Sequence, residues 1–204
     1  MVTIDELAKL LPASTTLYGL HDSGNYVNIS PRDPSQDSFM EQCEKAYELY
    51  DHPKVNDKCA NEYVQDTWKC LCGQYMLPLV ETPSQIIFYL YDSYQLSLNI
   101  GHNPSKWTNE DCQYAKTQFR PAMIQTFEIL QNSTQHVVFA PTCYDHGILT
   151  SPTFQSINID GLTAEEQLNL FINDNVRRNQ KSSCEQVNCE GSCDSIDFGP
   201  NSFC

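Results

Sequence analysis

The stretch PSQIIFYLYDSYQL, residues 83–96, decides how this chain is read. A proline precedes six residues, Gln85 to Leu90, that are almost all apolar, and polar Asp92 and Ser93 close the run. A strand with only one buried face alternates apolar and polar residues. A continuous apolar run of this length, ended by turn formers, describes a strand buried on both faces, as in a parallel sheet covered by helices. Residues 136–141, HVVFAP, form a second run of the same kind. Between them, residues 109–131 read as a helix that Pro121 either kinks or begins after an irregular turn.

Working outward, Ile4, Leu7, Leu10 and Leu11 fall at helical spacing, so residues 3–11 read as a short helix. Thr15 to Leu20 reads as a strand that His21-Asp22-Ser23-Gly24 breaks. Residues 28–37 are a polar loop, 38–50 a helix, and 51–72 an irregular loop bearing cysteines. Thr163-Ala164-Glu165-Glu166 has the pattern of a capping box opening a helix to about residue 174. Alternating strands and helices define an α/β fold. Three strands are few for an open sheet of this class, so the sheet is expected to be incomplete.

Composition narrows the function classes. Twelve Lys and Arg stand against 26 Asp and Glu, a formal charge of -14. That balance argues against nucleic acid and anionic membrane surfaces as partners, because both call for a basic face. No stretch is long and apolar enough to span a membrane. Ten cysteines and two sequons, at Asn28 and Asn132, point to an oxidising, secreted or lumenal setting with up to five disulfides. Residues 1–12 lack the basic start and apolar core of an export signal. The expectation is a chain whose beginning is missing.

Functional groups in open α/β sheets collect past the carboxyl ends of strands. Asp92 follows one buried run by two residues, and His146 follows the other by five. Singly, an Asp after a strand is commonly a cap and a loop His is commonly surface. Together they can form the acid and base of a hydrolytic triad, with the carboxylate fixing the imidazole tautomer. Their order suits an α/β-hydrolase, in which nucleophile, acid and base follow in turn. Asp145 is too close to His146 in the chain to orient it. His21-Asp22-Ser23 cannot form a triad from three consecutive residues. His52, His102 and His136 read as solvated. No G-x-S-x-G elbow is present; Ser23 comes nearest but lacks the flanking glycine, and Cys143 is expected in a disulfide. A zinc site on Cys184, Cys189, Cys193 and Cys204 is disfavoured by its spacing.

The segments TLYGLHDSGNYVNI (16–29), WKCLCGQYMLPLVETPSQIIFYLYDSYQL (68–96), FAPTCYDHGIL (139–149) and CEQVNCEGSC (184–193) resemble, in order, the pectinacetylesterase family. The resemblance implies a partial α/β-hydrolase: an open, mostly parallel sheet flanked by helices, lacking its N-terminal half, with disulfide-rich loops. It implies one domain over 1–204, with 184–204 as a cysteine-rich tail. It makes Asp92 the triad acid and His146 the base. The family's serine nucleophile is expected in an elbow before the segment that matches residues 3–29. The implied chemistry is cofactor-free hydrolysis of O-acyl esters on an acylated polysaccharide or a lipidated protein, with no metal. The implied pairings are Cys59 with Cys70, and Cys143 with the tail; Cys72 looks like an addition to the pattern.

Overall fold

Thr3 opens the first helix with a reciprocal cap: its side chain accepts from Glu6 N, and the Glu6 carboxylate accepts from Thr3 N. The computed structural model describes residues 3–188 and Cys193. In chain order it builds α1 (Ile4–Leu10), β1 (Gly19–Asp22), α2 (Phe39–Leu49), α3 (Asp57–Glu62), α4 (Gly73–Met76), β2 (Ser84–Ile87) and α5 (Ser93–Ile100). There follow α6 (Asn109–Tyr114), α7 (Arg120–Leu130), β3 (His136–Ala140), α8 (Thr153–Ser156), β4 (Asn158–Ile159), β5 (Leu162–Thr163), α9 (Ala164–Asn173) and β6 (Gln180–Lys181).

The described sheet has the order β1-β2-β3-β6, with every neighbouring pair parallel. Ile86 lies between His21 and Val138, and Ile87 between Asp22 and Phe139. Successive side chains of β2 enter opposite faces. On one, Ile86, Phe88 and Leu90 pack with Met123, Phe127 and Leu130 of α7 and Leu96 of α5. On the other, Ile87 and Tyr89 pack with Phe139, Ile148, Ile157, Ile159 and Ala164. Each such side chain contributes roughly 1.5–3 kcal/mol by leaving water. Exposed ion pairs such as Lys58–Glu81 add at most about 1 kcal/mol. The two-sided apolar core therefore holds the sheet, as the run at 85–90 predicts.

The first strand differs from its expectation. It spans Gly19–Asp22 rather than Thr15–Leu20, and His21-Asp22 continue it instead of breaking it. Thr15 and Thr16 are exposed. Pairing begins at Gly19, where a Cβ would stand 2.3 Å from Ser84 Oγ, so the register needs glycine there. The loop at 51–72 is less irregular than read, holding α3 and a 3-10 turn at Thr67–Leu71. Disulfides Cys43–Cys72 and Cys59–Cys70 tie that region together. The second is the pairing the resemblance implies; the first gives Cys72 a partner on α2. The helix read over 109–131 is divided by a π turn at Ala115–Phe119, directly before Pro121. Proline has no N–H to continue the helical ladder, and the widened turn absorbs that loss. Strands of two residues, β4 to β6, are too short to leave a periodic signal.

His136 is a further correction. It starts β3 and is 1% exposed, buried rather than solvated. His102 is partly buried and shares a 3.1 Å contact with Asp111, whereas His52 is exposed as read. Most of the cysteine-rich tail lies outside the described residues. Cys184 and Cys193 are disulfide-bonded, Cys193 to Cys143.

Candidate active site

Beyond Ile87 the chain keeps its bonds to the neighbouring segment. Phe88 N donates to Phe139 O at 3.2 Å, and Leu90 N donates to Pro141 O at 2.7 Å. A turn at Leu90 and Tyr91 then brings the chain to Asp92, the N-cap of α5. Asp92 Oδ1 accepts from Gln95 N at 2.9 Å, the ordinary duty of a capping aspartate. Its other oxygen, Oδ2, lies 2.7 Å from His146 Nδ1. An ionised carboxylate only accepts, so Nδ1 carries the proton and Nε2 is left with a free lone pair. Asp92 is 2% exposed on its side chain and His146 32%, so the carboxylate is sealed and the imidazole reaches solvent.

Several contacts bring His146 to that point. After β3, Cys143 is anchored to Cys193. Tyr144 N donates to Asn188 Oδ1 at 2.5 Å, and its hydroxyl lies 2.8 Å from Ser97 Oγ on α5. Ser93 N donates to Asp145 O at 3.0 Å, joining the His146 loop to the first turn of α5. Asp145 turns its Oδ1 back to His146 N at 2.8 Å and does not take the imidazole.

The electrostatics follow the geometry. The hydrogen bond to Asp92 raises the His146 pKa above its usual 6.5; burial opposes this, and the charges of Asp92, Asp22 and Asp145 reinforce it. Burial pushes the Asp92 carboxyl up from 3.8, against the hydrogen bond from His146 and those from the backbone of Gln95 and Tyr94. Aromatic rings flank the imidazole. Tyr94 lies 5.2 Å away, and Tyr26 is stacked at 6.2 Å; Tyr26 also stacks on Phe39 at 4.3 Å. Burial lifts the Tyr26 phenol to about 12, helped by the neighbouring Asp92 and Tyr94.

The structure thus joins the two residues picked from strand ends. It also shows that Ser23 is occupied. Its hydroxyl donates to Asp22 Oδ1 at 2.9 Å and accepts from Gly147 N at 2.9 Å. Among the described residues no hydroxyl or thiol hydrogen-bonds to His146 Nε2. The aromatic flank and Gln95 left no mark in the sequence that a local pattern could detect.

A parallel sheet covered by helices on both faces, with a carboxylate and an imidazole joined past adjacent strand ends, defines an α/β-hydrolase. Two structures of the Wnt deacylase Notum from Drosophila share this fold, with TM-scores of 0.76 and 0.79 at 22% identity. They match 88% and 94% of this chain, and 49% and 55% of their own chains. The family model of the pectinacetylesterases matches residues 1–195, and the chain belongs to that family of carboxylesterases. It is 25% identical over 177 residues to the palmitoleoyl-protein carboxylesterase NOTUM of Drosophila melanogaster, covering 82% of this chain and 24% of the relative. Against palmitoleoyl-protein carboxylesterase notum2 of Xenopus laevis it is 22% identical over 191 residues, covering 84% and 36%. The chain therefore spans between a quarter and about half the length of these relatives.

Proposed function

We propose that this chain is the acid–base portion of a serine carboxylesterase that hydrolyses an O-acyl ester, with Asp92 and His146 as two members of its triad. The observation that carries the proposal is the 2.7 Å contact between Asp92 Oδ2 and His146 Nδ1 on adjacent strand ends. The serine comes from outside these 204 residues. As its oxygen attacks the acyl carbon, His146 Nε2 takes the hydroxyl proton. It then gives that proton to the departing alcohol oxygen, leaving an acyl-enzyme. Water repeats the sequence and releases the acid. Asp92 holds the tautomer and stabilises the imidazolium formed in each half.

Two classes of substrate suit the family: an acylated polysaccharide, and a lipidated protein of the kind the Notum relatives are named for. The rings of Tyr26, Phe39 and Tyr94 supply an apolar flank beside the base, which suits an acyl chain or the face of a sugar. The disulfides, and sequon asparagines that are both exposed, favour a place outside the reducing cytosol.

Hydrolysis of p-nitrophenyl acetate and octanoate tests the reading. The 204-residue chain should show no more turnover than its His146→Ala variant. A longer product of the same transcript that carries a serine elbow should turn over both esters and lose that activity in His146→Ala. Activity in the longer product that survives His146→Ala would sink the proposal. A transcript with no elbow would instead favour a secreted module that binds a glycan, lipid or protein.

A further inference from the structure

The Asp22-Ser23 pair stands at the carboxyl end of β1, one strand over from Asp92. Asp22 is not part of the triad, and Ser23 is not the nucleophile. Yet their side chains meet three consecutive backbone N–H groups directly after His146. Ser23 Oγ accepts from Gly147 N at 2.9 Å. Asp22 Oδ1 accepts from Ile148 N at 3.0 Å, and Oδ2 from Leu149 N at 3.0 Å. The Ser23 hydroxyl spends its own proton on Asp22 Oδ1 at 2.9 Å, which aims its lone pairs at Gly147.

The backbone is shaped for this. Ser23 has φ +57°, a left-handed conformation uncommon outside glycine and asparagine. It persists with Ser23 N donating to Ile87 O at 2.8 Å and the residue buried. Gly147 has φ +87°, so the chain turns sharply just beyond His146 and sends three N–H groups toward β1. A carboxylate meeting N–H donors forms charge-assisted bonds, stronger than neutral ones.

We infer that Asp22 and Ser23 are positioning residues for His146: a side-chain clamp from β1 that fixes the turn at 147–149 and so the orientation of the imidazole. The inference rests on the acid–base reading of Asp92 and His146. Asp92 holds the ring from one side through Nδ1; the clamp holds the backbone from the other. Without it the loop keeps its Cys143–Cys193 anchor before His146 and the packing of Ile148 after it, but loses the hydrogen bonds that set the turn between them. The imidazole faces the charges of Asp92, Asp22 and Asp145, and the rings of Tyr26 and Tyr94. Removing the Asp22 charge therefore has a signature beyond stability.

The test is NMR on the 204-residue chain, with three substitutions. Ser23→Ala should speed exchange of the Gly147 amide roughly tenfold, the usual worth of one such bond. Asp22→Asn, which replaces the Oδ2 acceptor by an NH2 and keeps Oδ1, should expose the Leu149 amide and lower the His146 imidazole pKa. Asp92→Asn should lower that pKa further. Unchanged amides at 147–149 and an unchanged His146 titration in both Ser23→Ala and Asp22→Asn, with Asp92→Asn still shifting it, would overturn the clamp and leave the triad pair standing. A His146 titration indifferent to Asp92→Asn would instead overturn the acid–base reading. Should Asp22→Asn fail to fold, the Gly147 exchange rate in Ser23→Ala decides alone.

Discussion

Gln95 grips the backbone of Val27 with both ends of its amide: Nε2 donates to Val27 O at 2.8 Å, and Oε1 accepts from Val27 N at 3.0 Å. Gln95 is fully buried and Val27 nearly so. The same residue gives its N–H to Asp92. One side chain thus sets the segment carrying Tyr26 beside Asp92. Gln95→Leu keeps the volume and strands a buried N–H and a buried C=O on Val27. The expected cost is about 2–4 kcal/mol, read as a lower urea midpoint with an unchanged slope.

Asp92→Asn changes the charge that faces His146 and little else in shape. In an ester-hydrolysing form of the protein, kcat should fall by roughly 10⁴-fold, the loss expected when the orienting carboxylate of such a triad becomes an amide. Stability should also respond. The folded pKa of His146 lies above 6.5, so its contribution is fully present below that value and fades as pH rises through the folded pKa. The variant should lose this low-pH contribution, and melting curves at pH 5.5 and 8.5 would show it.

Acid should weaken the fold through different histidines. Burial depresses the pKa of His21, and burial together with the nearby His21 depresses that of His136. Groups held neutral in the fold stabilise it above the unfolded pKa near 6.5, and that contribution is lost as pH falls through their lower folded values. For Asp5, burial alone would raise the pKa, but hydrogen bonds from Thr82, Glu81 N and Asn56 lower it overall. Its contribution survives to below pH 3.8 and disappears last. Tm should therefore drop from pH 6.5 toward 5, and His136→Leu should flatten that drop.

Gly73→Ala should be severe for its size. A Cβ on Gly73 would stand 2.0 Å from the Gly24 carbonyl oxygen and 2.9 Å from its carbon, both rigid backbone. Over-packing of this kind costs about 1–3 kcal/mol. Gly24 follows Ser23, so the strain is delivered beside the His146 turn. A calorimetric scan gives the cost, and a shifted Gly147 amide resonance would show where it lands.

The buried runs at 85–90 and 136–141 were legible because burial on both faces of a strand writes itself as uninterrupted apolar residues. The meeting of Asp92 with His146 was legible because residues just past adjacent parallel strand ends are brought side by side. The Thr163 capping box was legible because its reciprocal bonds join residues three apart, and the structure forms it. What escaped is contact without local periodicity. Ser23 reaches Gly147 across 124 residues, and Gln95 reaches Val27 across 68. A side chain that bonds to backbone can meet any residue type, so its partner's identity carries no signal. His136 looked solvated because polar neighbours precede it, yet β3 places it against Ser84 at the start of the parallel pairing.

The reach of these contacts also bears on how the protein is made. Asp92 and His146 are 54 positions apart, and Asp22 bonds to Leu149 across 127. Contacts this distant must await closure of long loops and are slow to form. During synthesis, the end of β1 and the capping aspartate leave the ribosome well before the turn that completes them. A nascent chain halted before His146 would carry Asp22, Ser23 and Asp92 without their partners in that turn, so these contacts are among the last to appear as translation proceeds.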